Sequence, residues 1–153
     1  MDLLAYVQQA VARFRQLPQT HPVRIIANYD ADGIAAAALL LKVFRREGRT
    51  CSVSVIGQLN QEVIQELYHE PYSTYFFLDL GANFLSSLTT HLVGKDIFIF
   101  DHHYFDKALT QDTGVVHVNP YLCGMDGTKD ISASGVAYLF ACCLNSTNRD
   151  LSV

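Results

Sequence analysis

The chain has no excess of basic charge, no long apolar run, no repeated segment and no cysteine pairing pattern, and each absence removes a class of protein. Eleven Lys and Arg stand against fifteen Asp and Glu, for a formal net charge of −4. That balance argues against a broad basic face that grips nucleic acid through its phosphates, so any such ligand would need metal ions or another part of the protein. No stretch approaches the roughly 18 apolar residues of a membrane span. The opening "MDLLAYVQQAVARFRQL" carries an acid at Asp2 and no signal-type basic start. The chain is therefore expected to be soluble and cytoplasmic, with no membrane partner. Cys51, Cys123, Cys142 and Cys143 show no C-x-x-C spacing, so they read as reduced core residues and not as a disulfide or zinc framework.

What is present is apolar and alternating. Half of the 153 residues are hydrophobic, enough for one well-cored domain. Leu3, Val7, Ala10, Val11 and Phe14 fall at helical spacing before Pro18, which predicts an amphipathic helix over about 3–17 on the outside of the domain. "VRIIANYD", "CSVSVIG", "YFFLDLG", "DIFIFDHH" and "GVVHVNP" then read as strands, each closed by a turn signal or a polar cluster. Helices are expected between and after them, at about 34–46, 61–69, 84–91 and 134–144. Near-continuously apolar strands alternating with helices predict an α/β fold, a mostly parallel sheet with helices on both faces.

Two charges interrupt the first apolar run, in "NYDADG", and three readings compete for them. Asn28, Asp30, Asp32 and Gly33 match the front half of a calcium loop, but Leu39 stands where that loop needs a bidentate Glu, and a strand precedes it. A strand ending in D-x-D-G also suggests a haloacid-dehalogenase-type phosphatase with an aspartate nucleophile. Ile34 follows the glycine, however, and the later acidic pair of that family is missing. The plain alternative is a helix N-cap, where carboxylates meet free N–H groups and the positive end of the dipole.

Later residues weigh on that choice. Asp79 ends a second apolar strand, and Asp101, His102 and His103 end a third. One strand–helix–strand crossover returns both strand ends to the same edge, and the carboxyl edge of an open parallel sheet is where ligands sit. Gathering Asp30, Asp32, Asp79 and Asp101 there without cations would be strongly repulsive. Carboxylates with an imidazole and no cysteine suit Mn²⁺ or Mg²⁺, and one aspartate reaching two ions would make a site that activates water and stabilises a phosphoryl oxyanion.

The ordered set "DADG", "LDLG", "DHH", "NP" and "SASG" resembles the successive motifs of the DHH phosphoesterase superfamily, most closely its archaeal RecJ-like nucleases. The resemblance runs from Val23 to Val153. It implies a DHH-type catalytic domain with two divalent ions, Mn²⁺ preferred and Mg²⁺ possible. The implied activity is phosphodiester hydrolysis, usually from the 5′ end of single-stranded DNA or RNA, in replication or repair. It also suggests replisome partners associated with the helicase, such as the GINS complex. Residue by residue, Asp30 resembles a ligand of the first ion, Asp32 a ligand of the second, and Asp79 the bridge. His102 resembles a further ligand of the second ion, and His103 the catalytic group that contacts substrate phosphate. Asp101 is expected to act beside them by orienting an imidazole. Ser132, Ser134 and Gly135 are expected either to hold a substrate phosphate on helix N–H groups or to cap that helix. Asn119 and Pro120 read as turn residues, and His21, His69, His91 and His117 as structural.

The chain departs from the family pattern twice. Asn28 occupies a position usually filled by His or Asp, and its neutral amide oxygen would be a weak ligand for the first ion. A further metal-binding aspartate, in a G-D step, is not reached before Val153, nor is a C-terminal substrate-binding domain, so the expectation is a truncated DHH domain with impaired activity of its own. The runner-up functions are a catalytically decayed RecJ-like scaffold of a replicative helicase complex and a small-substrate DHH phosphodiesterase.

Overall fold

A computed structural model describes residues 1–110 and 114–152; Val153, where the family resemblance ends, lies outside the described residues. Five strands, β1 (Val23–Asn28), β2 (Cys51–Ile56), β3 (Thr74–Leu78), β4 (Asp96–Phe100) and β5 (Val116–Val118), form one sheet in the order β2-β1-β3-β4-β5. Every adjacent pair is parallel. Among the described residues the α-helices are α1 (Leu3–Gln16), α2 (Ala31–Arg46), α3 (Gln61–His69), α4 (Leu85–His91) and α5 (Ala133–Leu144).

Side chains alternate across a strand, and here the alternation divides the core in two. Val23, Ile25, Ala27, Phe76, Phe98 and Phe100 face α1, α2 and α5. Ile26, Tyr75, Phe77, Ile97 and Ile99 face α3 and α4. With both faces covered, a strand such as β3 is buried throughout and reads as an unbroken apolar run. Phe76 and Phe98 stack at 4.4 Å between ring centroids across the sheet, and Phe14 of α1 meets Phe76 edge-on at 5.7 Å. Such pairs each add about 0.5–1.5 kcal/mol beyond the area that they bury. The buried Leu3, Val7, Ala10, Val11 and Phe14 of α1 are the positions whose spacing predicted that helix. Arg24, on the α3 side, is a buried cation satisfied by Glu70 at 2.6 and 3.1 Å and by Ser54 at 2.8 Å.

The strand order reverses at β1: β2 lies on one side of it and β3 on the other. Reversal opens a crevice at the carboxyl ends of these strands, and Asn28 ends β1 while Asp79 follows β3.

Several boundaries differ from the sequence reading, for reasons of capping. The helix expected at 34 begins at Ala31, because Asp30 is extended and its side chain accepts from the Gly33 N–H. The helix expected at 134 begins at Ala133, with Ser132 as its cap. That expected at 84 begins at Leu85, after a short 3-10 turn at Ala82–Phe84. The four cysteines are free but half-buried, at the core's margin and not within it. No helix among the described residues is long and apolar enough to cross a membrane.

Candidate metal centre

Asp30 and Asp32 enter the crevice from the start of α2. Gly33 makes that start possible: a Cβ there would lie 2.3 Å from the Asn28 carbonyl oxygen, so only glycine lets the helix rise directly over the end of β1. Asp30 Oδ1 accepts the Gly33 N–H at 2.8 Å. Asp32 points toward the first turn of α5, where its carboxylate accepts the N–H groups of Ala133 at 2.8 Å and Ser134 at 2.9 Å. Burial alone would raise the Asp32 pKa, but donors from Ser134, Ser132 and Ala133 prevail and hold it below the ordinary value.

Asp79 is buried and has φ 60°, the one non-glycine residue with positive φ among those described. A left-handed aspartate at a strand end is uncommon and strained, and it turns the carboxylate into the crevice. One oxygen, Oδ2, accepts from the Asn28 amide at 3.0 Å. The other, Oδ1, is buried without a hydrogen-bond partner. Burial, against the Asn28 donor and with the charges of Asp30 and Asp32, pushes the Asp79 pKa up to about 6.

The two histidines are held in different ways. His102 Nδ1 lies 2.7 Å from the Gly127 carbonyl oxygen; a carbonyl only accepts, so this nitrogen carries a proton, and a lone pair for a metal can come only from Nε2. Nε2 stands 3.1 Å from Asp79 Oδ1 and 3.6 Å from Asp32 Oδ2. His103 Nδ1 instead donates to Asp101 Oδ1 at 2.7 Å, and that bond is the main cause raising the His103 pKa to about 9. Asp101 is buried; burial would raise its pKa, but bonds from His103 and the Ala82 N–H outweigh it and keep it ionised. Asp101 was expected to orient an imidazole as the partner of a metal-bound histidine; the ring it holds here is that of His103.

The 3.1 Å between Asp79 Oδ1 and His102 Nε2 suits two ligands of one cation. An acceptor oxygen and an imidazole lone pair 3.1 Å apart with no hydrogen bond between them repel unless a positive charge lies between. Adjacent ligands of an octahedral ion bound at about 2.1 Å are separated by about 3 Å. Asp79, His102 and His103 also offer ligand atoms within 4.8 Å of one another. Asn28, expected to give an amide oxygen, does otherwise: its Oδ1 accepts the Tyr29 N–H at 2.9 Å, and its NH₂ faces carboxylates. The N–H groups of Ala133, Ser134 and Gly135, at the turn for which one expected reading was a phosphate cradle, are engaged by Asp32 and by the Ser132 side chain, as in the capping reading. A cleft of about 220 Å³ beside Asn28, Asp79, Asp101 and His103 is also lined by Gln58, Leu59 and Asn83.

Sequence reasoning passed over Gly127. A Cβ there would lie 1.8 Å from the His102 carbonyl oxygen, so the loop and the histidine pack backbone to backbone. Asn119, read as a turn residue, does cap the following turn and also donates to the His103 carbonyl at 3.0 Å. The "NP" after a strand at the same sheet edge was the available signal.

Comparison with known proteins bears on the fold and the family. The chain is 30% identical over 125 residues to an uncharacterized protein of Methanocaldococcus jannaschii, covering 78% of this chain and 28% of that one. Among solved structures it resembles RecJ of Thermus thermophilus in complex with Mn²⁺, with TM-score 0.75 and 24% identity, over 93% of this chain and 21% of that one. It also resembles CDC45 of Entamoeba histolytica, with TM-score 0.70 and 19% identity, over 99% of this chain and 32% of that one. The chain thus spans less than a third of each of these relatives. The model of the DHH family, N-terminal domain, matches residues 22–152, and the chain belongs to that family.

Proposed function

We propose that this domain hydrolyses phosphodiester bonds with a divalent ion, Mn²⁺ preferred and Mg²⁺ usable, held by Asp32, Asp79 and His102. We further propose that it serves a nuclease acting from the 5′ end of single-stranded DNA or RNA. The observation that carries this reading is the unpartnered Asp79 Oδ1 facing His102 Nε2 at 3.1 Å. Such an ion lowers the pKa of water and neutralises charge developing on a phosphoryl oxygen. The chain's own residues supply the rest. His103, protonated at neutral pH through Asp101, presents a cation to the scissile phosphate. Asp101 holds that ring by accepting its proton in a hydrogen bond and stays ionised. We assign Ser132, Ser134 and Gly135 to the turn that fixes Asp32, and leave phosphate contact to His103.

End-labelled single-stranded DNA and RNA incubated with the full-length protein test the proposal. Mononucleotide release that requires Mn²⁺, stops with chelator and is lost in Asp79→Ala supports it; full activity in that variant overturns it. One observation favours a second reading, a scaffold without catalysis: the Asn28 amide donates to Asp30 and Asp79 at 3.0 Å each and so satisfies an oxygen of each carboxylate without metal. Helicase-associated proteins such as GINS would then be its partners, and absence of bound metal would mark it.

A further inference from the structure

We infer that the Asn28 amide takes the place of the first of two cations, so that this centre holds one divalent ion per chain where the family resemblance implies two. The inference rests on the reading of the domain as a metal-dependent phosphoesterase and specifies its metal content.

The amide has two N–H bonds, and Nδ2 lies 3.0 Å from Asp30 Oδ2 and 3.0 Å from Asp79 Oδ2. It therefore ties together the two carboxylates that a first ion would otherwise bridge. Rotating the amide to offer its oxygen is opposed from both ends. Oδ1 accepts the Tyr29 N–H at 2.9 Å, so rotation would set two donors against each other there and an oxygen against two carboxylates here. The backbone leaves little room to move away, because Asn28 pairs with Ile56 in the sheet and lies under Gly33. On Asp30 the oxygen a first ion would take, Oδ2, is the one that the Asn28 amide holds, while Gly33 N–H holds Oδ1. Asp79 is satisfied only on the Asn28 side, and its orphaned Oδ1 faces His102. Unmet acceptor capacity thus lies on one side of Asp79, the side that faces His102.

Counting Mn²⁺ on the full-length protein by equilibrium dialysis and electron paramagnetic resonance tests this. The expected result is one Mn²⁺ per wild-type chain with the spectrum of an isolated ion. Asn28→Asp and Asn28→His should take up two, with the spectrum of a spin-coupled pair. Two ions in the wild type would overturn the inference and leave the phosphoesterase reading standing. No bound ion would overturn both. One ion in wild type and in both variants would also overturn it, because Asn28 would then not be what excludes the second. If Asn28→Asp fails to fold under its added negative charge, the wild-type count and Asn28→His still decide the matter.

Discussion

The Gly127 carbonyl oxygen lies 2.7 Å from His102 Nδ1, and the Gly127 Cα approaches the His102 backbone so closely that a Cβ would sit 1.8 Å from the His102 carbonyl oxygen. The bond sets which imidazole nitrogen is free, and the close approach makes glycine the one residue that permits it.

Gly127→Ala should therefore weaken Mn²⁺ binding more than it weakens the fold. Loss of a group that orients a metal-bound histidine lowers affinity by about 10–100-fold. Mn²⁺ titration of the folded variant, with circular dichroism as the control, checks this. Unchanged affinity would mean that another group orients the ring.

Gly33→Ala acts on the other wall of the crevice. A Cβ placed 2.3 Å from the Asn28 oxygen and 2.9 Å from its nitrogen meets only backbone, which cannot rotate away. Overpacking of this kind costs about 1–3 kcal/mol or more, and urea denaturation of the metal-free protein should show at least that loss.

Asp101→Asn should release His103. The Asp101 bond is the largest cause of a pKa of about 9, so the His103 proton signals, followed by NMR in metal-free protein, should titrate near 9 in the wild type. In the variant they should titrate near or below the ordinary value of about 6.5. Because the folded value is raised, the stability that this pair contributes is complete below about pH 6.5 and is lost as pH rises through about 9. That decline should be absent from the variant.

His117 predicts the opposite sign. It sits in β5, meeting Phe105 edge-on at 4.7 Å between ring centroids, with both ring nitrogens buried and unpartnered. Burial lowers its pKa to about 4. The folded state disfavours the proton, so stability is full above about pH 6.5 and falls as pH drops toward 4, by roughly 3 kcal/mol in all. Urea denaturation of His117→Phe at pH 7 and pH 4.5 should show a smaller difference than the wild type. An equal difference would place the pH dependence in other groups.

Much of this fold was legible because its signals are local. The spacing of Leu3, Val7, Ala10, Val11 and Phe14 states which face of α1 is buried. Asp79 and Asp101 each follow an apolar strand, and parallel pairing sends those ends to one edge. The start of α2 was placed late because apolar periodicity begins at Ile34, whereas capping begins at Asp30. What was hidden depends on partners far apart in the chain. Asn28 reaches Asp79 across 51 positions, Asp32 reaches Ser134 across 102, and His102 reaches Gly127 across 25. The residue types at "NYDADG" announce a site, but the direction of the Asn28 amide is set by the Tyr29 N–H and two carboxylates, which only the folded backbone brings together.

Anomalous diffraction at the manganese edge from crystals of the full-length protein with Mn²⁺ tests the centre most directly. A peak in contact with His102 Nε2, Asp79 Oδ1 and Asp32 is the predicted result. Manganese lying elsewhere, or none bound while His102 Nε2 and Asp79 Oδ1 remain 3.1 Å apart, would contradict the proposed site.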